Sequence, residues 1–168
     1  MLTVARAVVS LVDDSTKLQS LQVQLLRREI RENVERFQQY GYTSKPHPGA
    51  EAVVVFVGGN RDHGLCIAVD DRRYRLLGLQ DGEVALYTDE GDKIHLKRDR
   101  EVEVTTLTLT VNAATKVAID SPLCEMSGNL TVAGNVSDAN GSMQEMRGVY
   151  NDHTHPANAT QAPTQKMT

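Results

Sequence analysis

The distal third of this chain, residues 101–150, alternates apolar residues with Thr, Asn, Ser and Gly, but it has too few apolar side chains to fill a core. Alternation over short runs predicts β-strands with one buried face. Burying a Leu or Val contributes about 1.5–3 kcal/mol, whereas ordering each residue costs about 1–2 kcal/mol of conformational entropy. A run that buries two or three side chains therefore cannot fold alone. The apolar positions are Val102, Val104, Leu107, Leu109, Val111, Ala113, Val117, Ile119, Leu123, Leu130, Val132 and Val136.

Three copies wound around one axis would remove this deficit, because each inward Leu or Val would pack against its own copies. Every strand edge would pair with a neighbouring chain, which removes the exposed edges that invite aggregation. Gly and Asn suit the corners between runs. We therefore predict a homotrimeric, intertwined β-prism or triple-stranded β-helix for residues 101–150. The alternative is a disordered Thr/Asn-rich tail.

Residues 1–100 predict a separate domain made mainly of β-strands. Residues 53–57 and 65–69 are short apolar runs joined by a Gly-rich turn. A hairpin is predicted over 84–96, where Val84 and Leu86 alternate with polar neighbours before an acidic turn. Five or so short strands in about a hundred residues indicate a small barrel of the oligonucleotide/oligosaccharide-binding (OB) type.

Two features of this domain are less clear from the pattern. Over residues 18–40 the apolar residues recur at spacings of three and four, which favours a helix, while residues 21–25 alternate as a strand would. His95 lies on the opposite side of the hairpin from Ile94 and Leu96, and we predict that it faces solvent.

The charge distribution argues against a nucleic-acid partner. Lys and Arg number 18 and Asp and Glu 22, so the net charge is -4, and a phosphate backbone requires a basic surface. After residue 100 there are seven acidic and three basic residues, and Tyr150 is the only aromatic one. Cys66 and Cys124 lie in apolar neighbourhoods and are predicted to be buried thiols, which indicates assembly in a reducing cytoplasm.

The motif His153-Thr154-His155 near the end of the chain is a candidate metal site. Two histidines two residues apart point to the same side of an extended strand. One chain offers two nitrogens, which make a poor site, whereas three chains on an axis offer six. Imidazole nitrogens alone allow iron, nickel or zinc.

The barrel, the β-shaft and the terminal motif together resemble the central baseplate spike proteins of contractile-tailed bacteriophages, most of all the membrane-piercing spike of phage Mu and its relatives. Four segments carry the resemblance besides the ending. They are residues 34–44, 48–53, 58–64 and 84–92.

The resemblance implies a homotrimer with an OB-fold barrel (1–100), a β-helical shaft (101–150) and a tip (151–168), and it implies strands in 18–40. The barrel would dock on the baseplate hub protein of the virion tail. The tip would meet the host outer membrane when the sheath contracts.

The resemblance also implies an iron ion on the axis, held by His153 and His155 of all three chains. Calcium and chloride are associated with such tips, and Asp138 or Asp152 are candidates for calcium. The implied role is structural, not enzymatic. The alternatives are a cell-wall-degrading enzyme, for which Asp120 and Glu125 of the shaft are the candidate carboxylates, and the spike of a related contractile secretion system.

Overall fold

The computed structural model of the chain describes residues 3–25 and 29–153. The chain divides into two compact units, Met1–Val111 and Asn112–Thr168. The first contains a closed barrel and a separate three-stranded sheet, and the second contains a short hairpin followed by a helix. Within the described ranges, no helix has the length and apolar character that a membrane crossing requires.

Five strands form the barrel, in the order β1-β2-β3-β5-β4, and it closes because β4 also pairs with β1. All neighbours are antiparallel except β3 and β5. Closure pairs most strand edges, although β3 and β5 contact each other only at Glu35–Leu65 and Arg36–Cys66. The predicted N-terminal barrel is thus confirmed, with five strands as in the OB type. The strands are β1 (Val4–Asp13), β2 (Gln19–Leu25), β3 (Ile30–Arg36), β4 (Glu51–Phe56) and β5 (Gly64–Asp70).

The barrel interior holds the hydrophobic core, which inward-pointing residues at alternate strand positions supply. Every buried apolar residue of the described chain lies between Ala7 and Cys66. The three-stranded sheet and the distal unit therefore contribute no apolar residue to a core within one chain. The buried set is Ala7, Val9, Leu21, Val23, Leu25, Val34, Ala50, Ala52, Val54, Phe56 and Cys66.

The helix that the spacing favoured over residues 18–40 is wrong, and the strands that the resemblance implied are present as β2 and β3. The cause is a β-bulge: Leu21 pairs with Val34 and Val23 with Arg31, so two residues of β3 oppose one of β2. Asn33 takes φ 56°, a left-handed conformation that Asn tolerates. The bulge breaks the period-two pattern, and Ile30 and Phe37, which extended the apparent helical stripe, are more than half exposed.

Arg36 is buried at the end of β3, where the alternation turns its side chain inward. Its guanidinium donates to Gln19 Oε1 (2.7 Å), to the Ser44 carbonyl (2.6 Å) and to Ser44 Oγ (2.9 Å). These bonds fasten the loop that follows β3 to the barrel. Burial lowers the pKa of Arg36 from its ordinary value.

The predicted hairpin over 84–96 is present as β6 (Val84–Tyr87) and β7 (Lys93–Leu96). It does not belong to the barrel, however. It pairs with β8 (Val102–Thr105) in an antiparallel sheet of three strands. Counting it among the barrel strands was wrong, because the barrel closes on itself without it.

The distal unit contains little regular structure. Between residues 106 and 136 there is no strand or helix, and then come β9 (Ser137–Asp138), β10 (Gly141–Ser142) and α1 (Met143–Asp152). The helix contradicts the β-structure predicted for residues 143–150. Its start is a capping box in which Ser142 Oγ accepts from the Glu145 amide at 3.1 Å and the Glu145 carboxylate accepts from the Ser142 amide at 2.7 Å.

Candidate assembly surface and metal ligands

Six apolar side chains form one continuous face of the three-stranded sheet. The register sets them in two rows that run straight across the strands. Each is between 43% and 62% exposed, so this face is uncovered within one chain. The rows are Val84, Leu96 and Val102, then Leu86, Ile94 and Val104.

The opposite face of the sheet is polar, and it is the better covered of the two. His95 Nε2 lies 3.1 Å from Glu83 Oε2, and these side chains are 12% and 6% exposed. The prediction that His95 faces solvent is therefore wrong. The alternation correctly put His95 on the face opposite Ile94, but the Glu83 carboxylate covers that face.

Glu103 anchors the rest of this polar face. Its carboxylate pairs with Lys97 and, at 3.3 Å, with Lys93, and it accepts a hydrogen bond from Thr105 Oγ1 at 2.9 Å. These partners, Lys97 first, lower the pKa of Glu103 to about 2. The charges of the sheet are thus satisfied within one chain, whereas its apolar side chains are not. A contiguous exposed apolar patch marks an interaction surface.

The distal unit shows the same lack of burial. From Leu107 to Val136, the large apolar side chains that the alternation singled out are between 41% and 100% exposed. This agrees with the argument that one copy of this stretch has no core. Cys124 is exposed and free, so the prediction that it is buried is wrong, whereas Cys66 is buried as predicted.

His153 caps the C-terminal end of α1. Its Nδ1 lies 2.5 Å from the Tyr150 carbonyl oxygen, and its ring packs at a tilt against the Tyr150 ring, with 5.4 Å between centroids. With a proton on Nδ1 the ring donates to this carbonyl oxygen, and Nε2 is then the nitrogen that could bind a metal. A metal-ligating histidine usually donates its other N–H to such an oxygen. His153 therefore fits a metal ligand, while His155 lies outside the described residues.

One chain does not bring further ligands together. Among residues 3–25 and 29–153 no cluster of three or more His, Cys, Asp or Glu side chains could hold a metal. Asp138 accepts from the Asn140 amide at 2.8 Å and so shapes the turn between β9 and β10. Asp152 is exposed at the end of α1, and Asp120 and Glu125 are exposed in the distal unit.

The basic cluster that follows β5 is engaged within the chain. Arg72 pairs with Glu51, and Arg73 pairs with Asp71 at 2.5 Å. Arg73 also lies over the Tyr74 ring at 5.1 Å from its centroid. Two of the three arginines therefore serve local structure.

The sequence carries a local signal for the start of α1 but none for the contact between Glu83 and His95. The capping box Ser142-x-x-Glu145 marks the start of α1. Glu83 comes directly before the alternating residues of β6, yet nothing local in the sequence links it to His95, since their contact depends on the pairing of β6 and β7.

Comparison with known proteins gives matches over most of the chain. Residues 6–73 match the family described as "Bacteriophage Mu Gp45, N-terminal". The chain is 41% identical over 131 residues to "Baseplate puncturing device gp45" of Escherichia phage Mu, an alignment that covers 78% of this chain and 66% of that protein. It is 36% identical over 158 residues to "Mu-like prophage FluMu protein gp45" of Haemophilus influenzae, covering 90% of this chain and 86% of that protein. The aligned region is thus just under two thirds of the phage Mu protein and most of the Haemophilus one.

Proposed function

The chain belongs to the phage Mu gp45 family, and from that premise we propose that it forms a homotrimeric spike at the centre of a phage tail baseplate. The proposed role is mechanical: the trimer is driven through the host outer membrane when the tail sheath contracts. The relative from phage Mu carries the name of a baseplate puncturing device. The exposed apolar face of the three-stranded sheet is the observation that carries the proposal.

The apolar face supports assembly because of its size and position. Each of its six side chains has about half of its surface exposed, and completing the burial of one is worth about 1 kcal/mol, or about 6 kcal/mol per chain. Around a threefold axis the three faces would close on one another and form a core that each chain lacks. The distal unit, with its apolar residues equally exposed, would continue this shared core as an intertwined shaft.

The mass of the full-length chain in solution tests the trimer. Size-exclusion chromatography with multi-angle light scattering should give the mass of three chains, because the exposed apolar residues of both units need partners. A monomeric mass at micromolar concentration would contradict the proposal. A dimer would contradict it too, since a twofold axis cannot produce a spike in which three chains interwind.

We assign the contact with the baseplate hub to the end of the barrel that carries the turn between β4 and β5. The chain leaves the barrel from the opposite end, after Asp70, on its way to β6. The turn end is held by ion pairs: Glu29 joins both Arg61 and Arg31, the latter at 2.6 Å. Arg61 also lies over the Phe56 ring, 4.2 Å from its centroid. A surface ordered in this way before docking loses little entropy on binding.

We also propose that His153 and His155 of three chains bind one axial metal ion, iron by resemblance. The ion supplies no chemistry in this role. It holds together the end of the spike, where fraying of a chain terminus would begin. The proposal is supported by the contact of His153 Nδ1 with the Tyr150 carbonyl oxygen, an arrangement that is usual for metal-ligating histidines. The calcium proposal is weaker, because Asp138 already serves the hairpin turn.

Elemental analysis of the purified trimer tests the metal site. We expect one transition-metal ion per three chains, and loss of that ion in the variants His153→Ala and His155→Ala. His63→Ala is the matched control, since His63 is an exposed histidine of the barrel. Metal-free trimer purified without chelators would contradict the site, and so would equal metal content in His63→Ala and His153→Ala.

A further inference from the structure

Helix α1 presents a stripe of exposed residues that the shaft and the metal site do not explain. Met143, Met146, Tyr150 and His153 follow one another at spacings of three, four and three residues. This is the a/d spacing of a coiled coil, which places all four on one side of the helix. Met143, Met146 and Tyr150 are 41%, 52% and 45% exposed.

Apart from Val149, which is 73% exposed at the edge of the stripe, the other sides of α1 are polar or lack a side chain. Gln144, Glu145, Gly148 and Asp152 lie away from the stripe. Glu145 is engaged in the capping box and thus fixes the start of the helix. A helix of ten residues is too short to be stable in water by itself. Besides the capping box, packing of its apolar side chains must therefore contribute to its stability.

The stripe forms one wall of a concave surface. An open hollow of about 710 Å³ lies between the β9–β10 hairpin and α1, and it is lined by the four stripe residues together with Val136 and Val149. It offers room for side chains of another helix. The chain's own C-terminal residues 157–168 are a poor occupant, because Met167 is their only large apolar residue.

We infer that the α1 helices of three chains pack in parallel around the spike axis through Met143, Met146, Tyr150 and His153, forming a short helical collar directly before the tip. The inference rests on the proposed trimer and goes beyond it. In a ring of identical chains the same stripe faces the axis in each chain. The last residue of that stripe is His153, so the packing that brings the methionines together also brings the three imidazoles to the axis.

The collar would hold the three chains together directly before the tip. In the shaft, chains would be held by strand pairing, and at the tip by a metal ion. The collar lies between them, where Tyr150 contacts His153 through both its carbonyl and its ring. His153 is therefore a member of a packed helical layer as well as a ligand, and its ring orientation is set before metal binds.

Thiol cross-linking of the full-length chain tests the collar. The background variant is Cys124→Ser, which leaves buried Cys66 as the only native cysteine. Into it we place Met146→Cys on the stripe or Gln144→Cys, two residues away and on the opposite side of the helix. A short bifunctional thiol reagent should join chains of the Met146→Cys protein several-fold more than chains of the Gln144→Cys protein. Tyr150→Cys repeats the test at a second stripe position.

The outcomes separate the collar from the trimer. Light scattering is run on each variant before cross-linking. Suppose that the variants have the mass of three chains. Equal cross-linking yields at positions 144 and 146, or a thiol at 146 that does not react at all, would then overturn the collar without contradicting the trimeric spike. A monomeric mass for the background variant would overturn both. Should Met146→Cys alone fail to assemble, the Tyr150→Cys and Gln144→Cys pair decides.

Discussion

An aspartate in the middle of the apolar face of the sheet should abolish the trimer. Ile94 lies in the central strand, between Leu86 and Val104, and is 43% exposed in one chain. Ile94→Asp removes about 1 kcal/mol of remaining burial per chain. The larger effect is a carboxylate that assembly would bury without a partner, at about 3–5 kcal/mol. For three chains this is about 9–15 kcal/mol, or six decades or more in the trimerisation constant.

Light scattering at micromolar concentration should therefore show monomer for Ile94→Asp, while circular dichroism should still show the barrel, whose core shares no residue with the sheet. The matched control is Thr105→Asp, an exposed position on the opposite face and directly across from Lys93. It introduces the same charge into the same sheet and should leave the trimer intact. A three-chain mass for Ile94→Asp, or equal dissociation of both variants, would refute the argument that this face is buried by assembly.

Three further outcomes follow from the structure. Leu21→Ala creates a cavity at a fully buried position in the barrel and should lower the free energy of unfolding by about 2–5 kcal/mol. Leu11→Ala, on the exposed side of β1, should change that free energy by less than about 0.5 kcal/mol. Denaturant titration measures both. The pKa of Glu103 lies at about 2, below its ordinary 4.5, so the stability it contributes is fully present above pH 4.5 and is lost as pH falls toward 2. The difference in melting temperature between wild type and Glu103→Gln should therefore be constant near neutral pH and should shrink as pH falls from 4.5 toward 2. A difference that grows as pH falls would contradict the pairing with Lys97. Ser142→Ala should destabilise α1 by about 0.5–2 kcal/mol, seen as faster amide exchange over residues 143–152, and unchanged exchange there would mean that the cap does not hold the helix.

The sequence predicts strands best where the pairing is local. The hairpin over 84–96 was predicted from two alternating runs that flank an acidic turn, and the strands after residue 50 from two short apolar runs joined by a Gly-rich turn. The resemblance to Mu-type spike proteins is confirmed by relatives that align over most of the chain. It also placed the strands of residues 18–40, which the pattern alone did not. The shaft, the trimer and the metal ligands stay predictions.

The error at His95 has a clear physical cause. An alternating pattern shows which residues share a face of a sheet, but not which face the chain itself covers. His95 was placed correctly opposite Ile94, and the error lay in supposing that the apolar face is always the inner one. In this chain the covered face is the one that holds Glu83 and His95, whereas the apolar face is exposed within one chain. In the proposed trimer the apolar face would be buried between chains, so the rule that the apolar face is covered would hold for the assembly and not for one chain.

The helix predicted from spacing in residues 18–40 and the β-structure predicted for residues 143–150 were both wrong, but they differ in what could have corrected them. In residues 18–40 a bulge near Asn33 shifts the inward positions, and the bulge exists only because β2 and β3 pair, so no local signal marks it. At residues 143–152 the signal was local: a serine with a glutamate three residues later, followed by apolar residues at helical spacing. The alternation of the preceding shaft had been extended across this boundary. Where a strand pattern meets a capping box, the cap is the stronger evidence, because it satisfies backbone donors that a strand would have to pair with another chain.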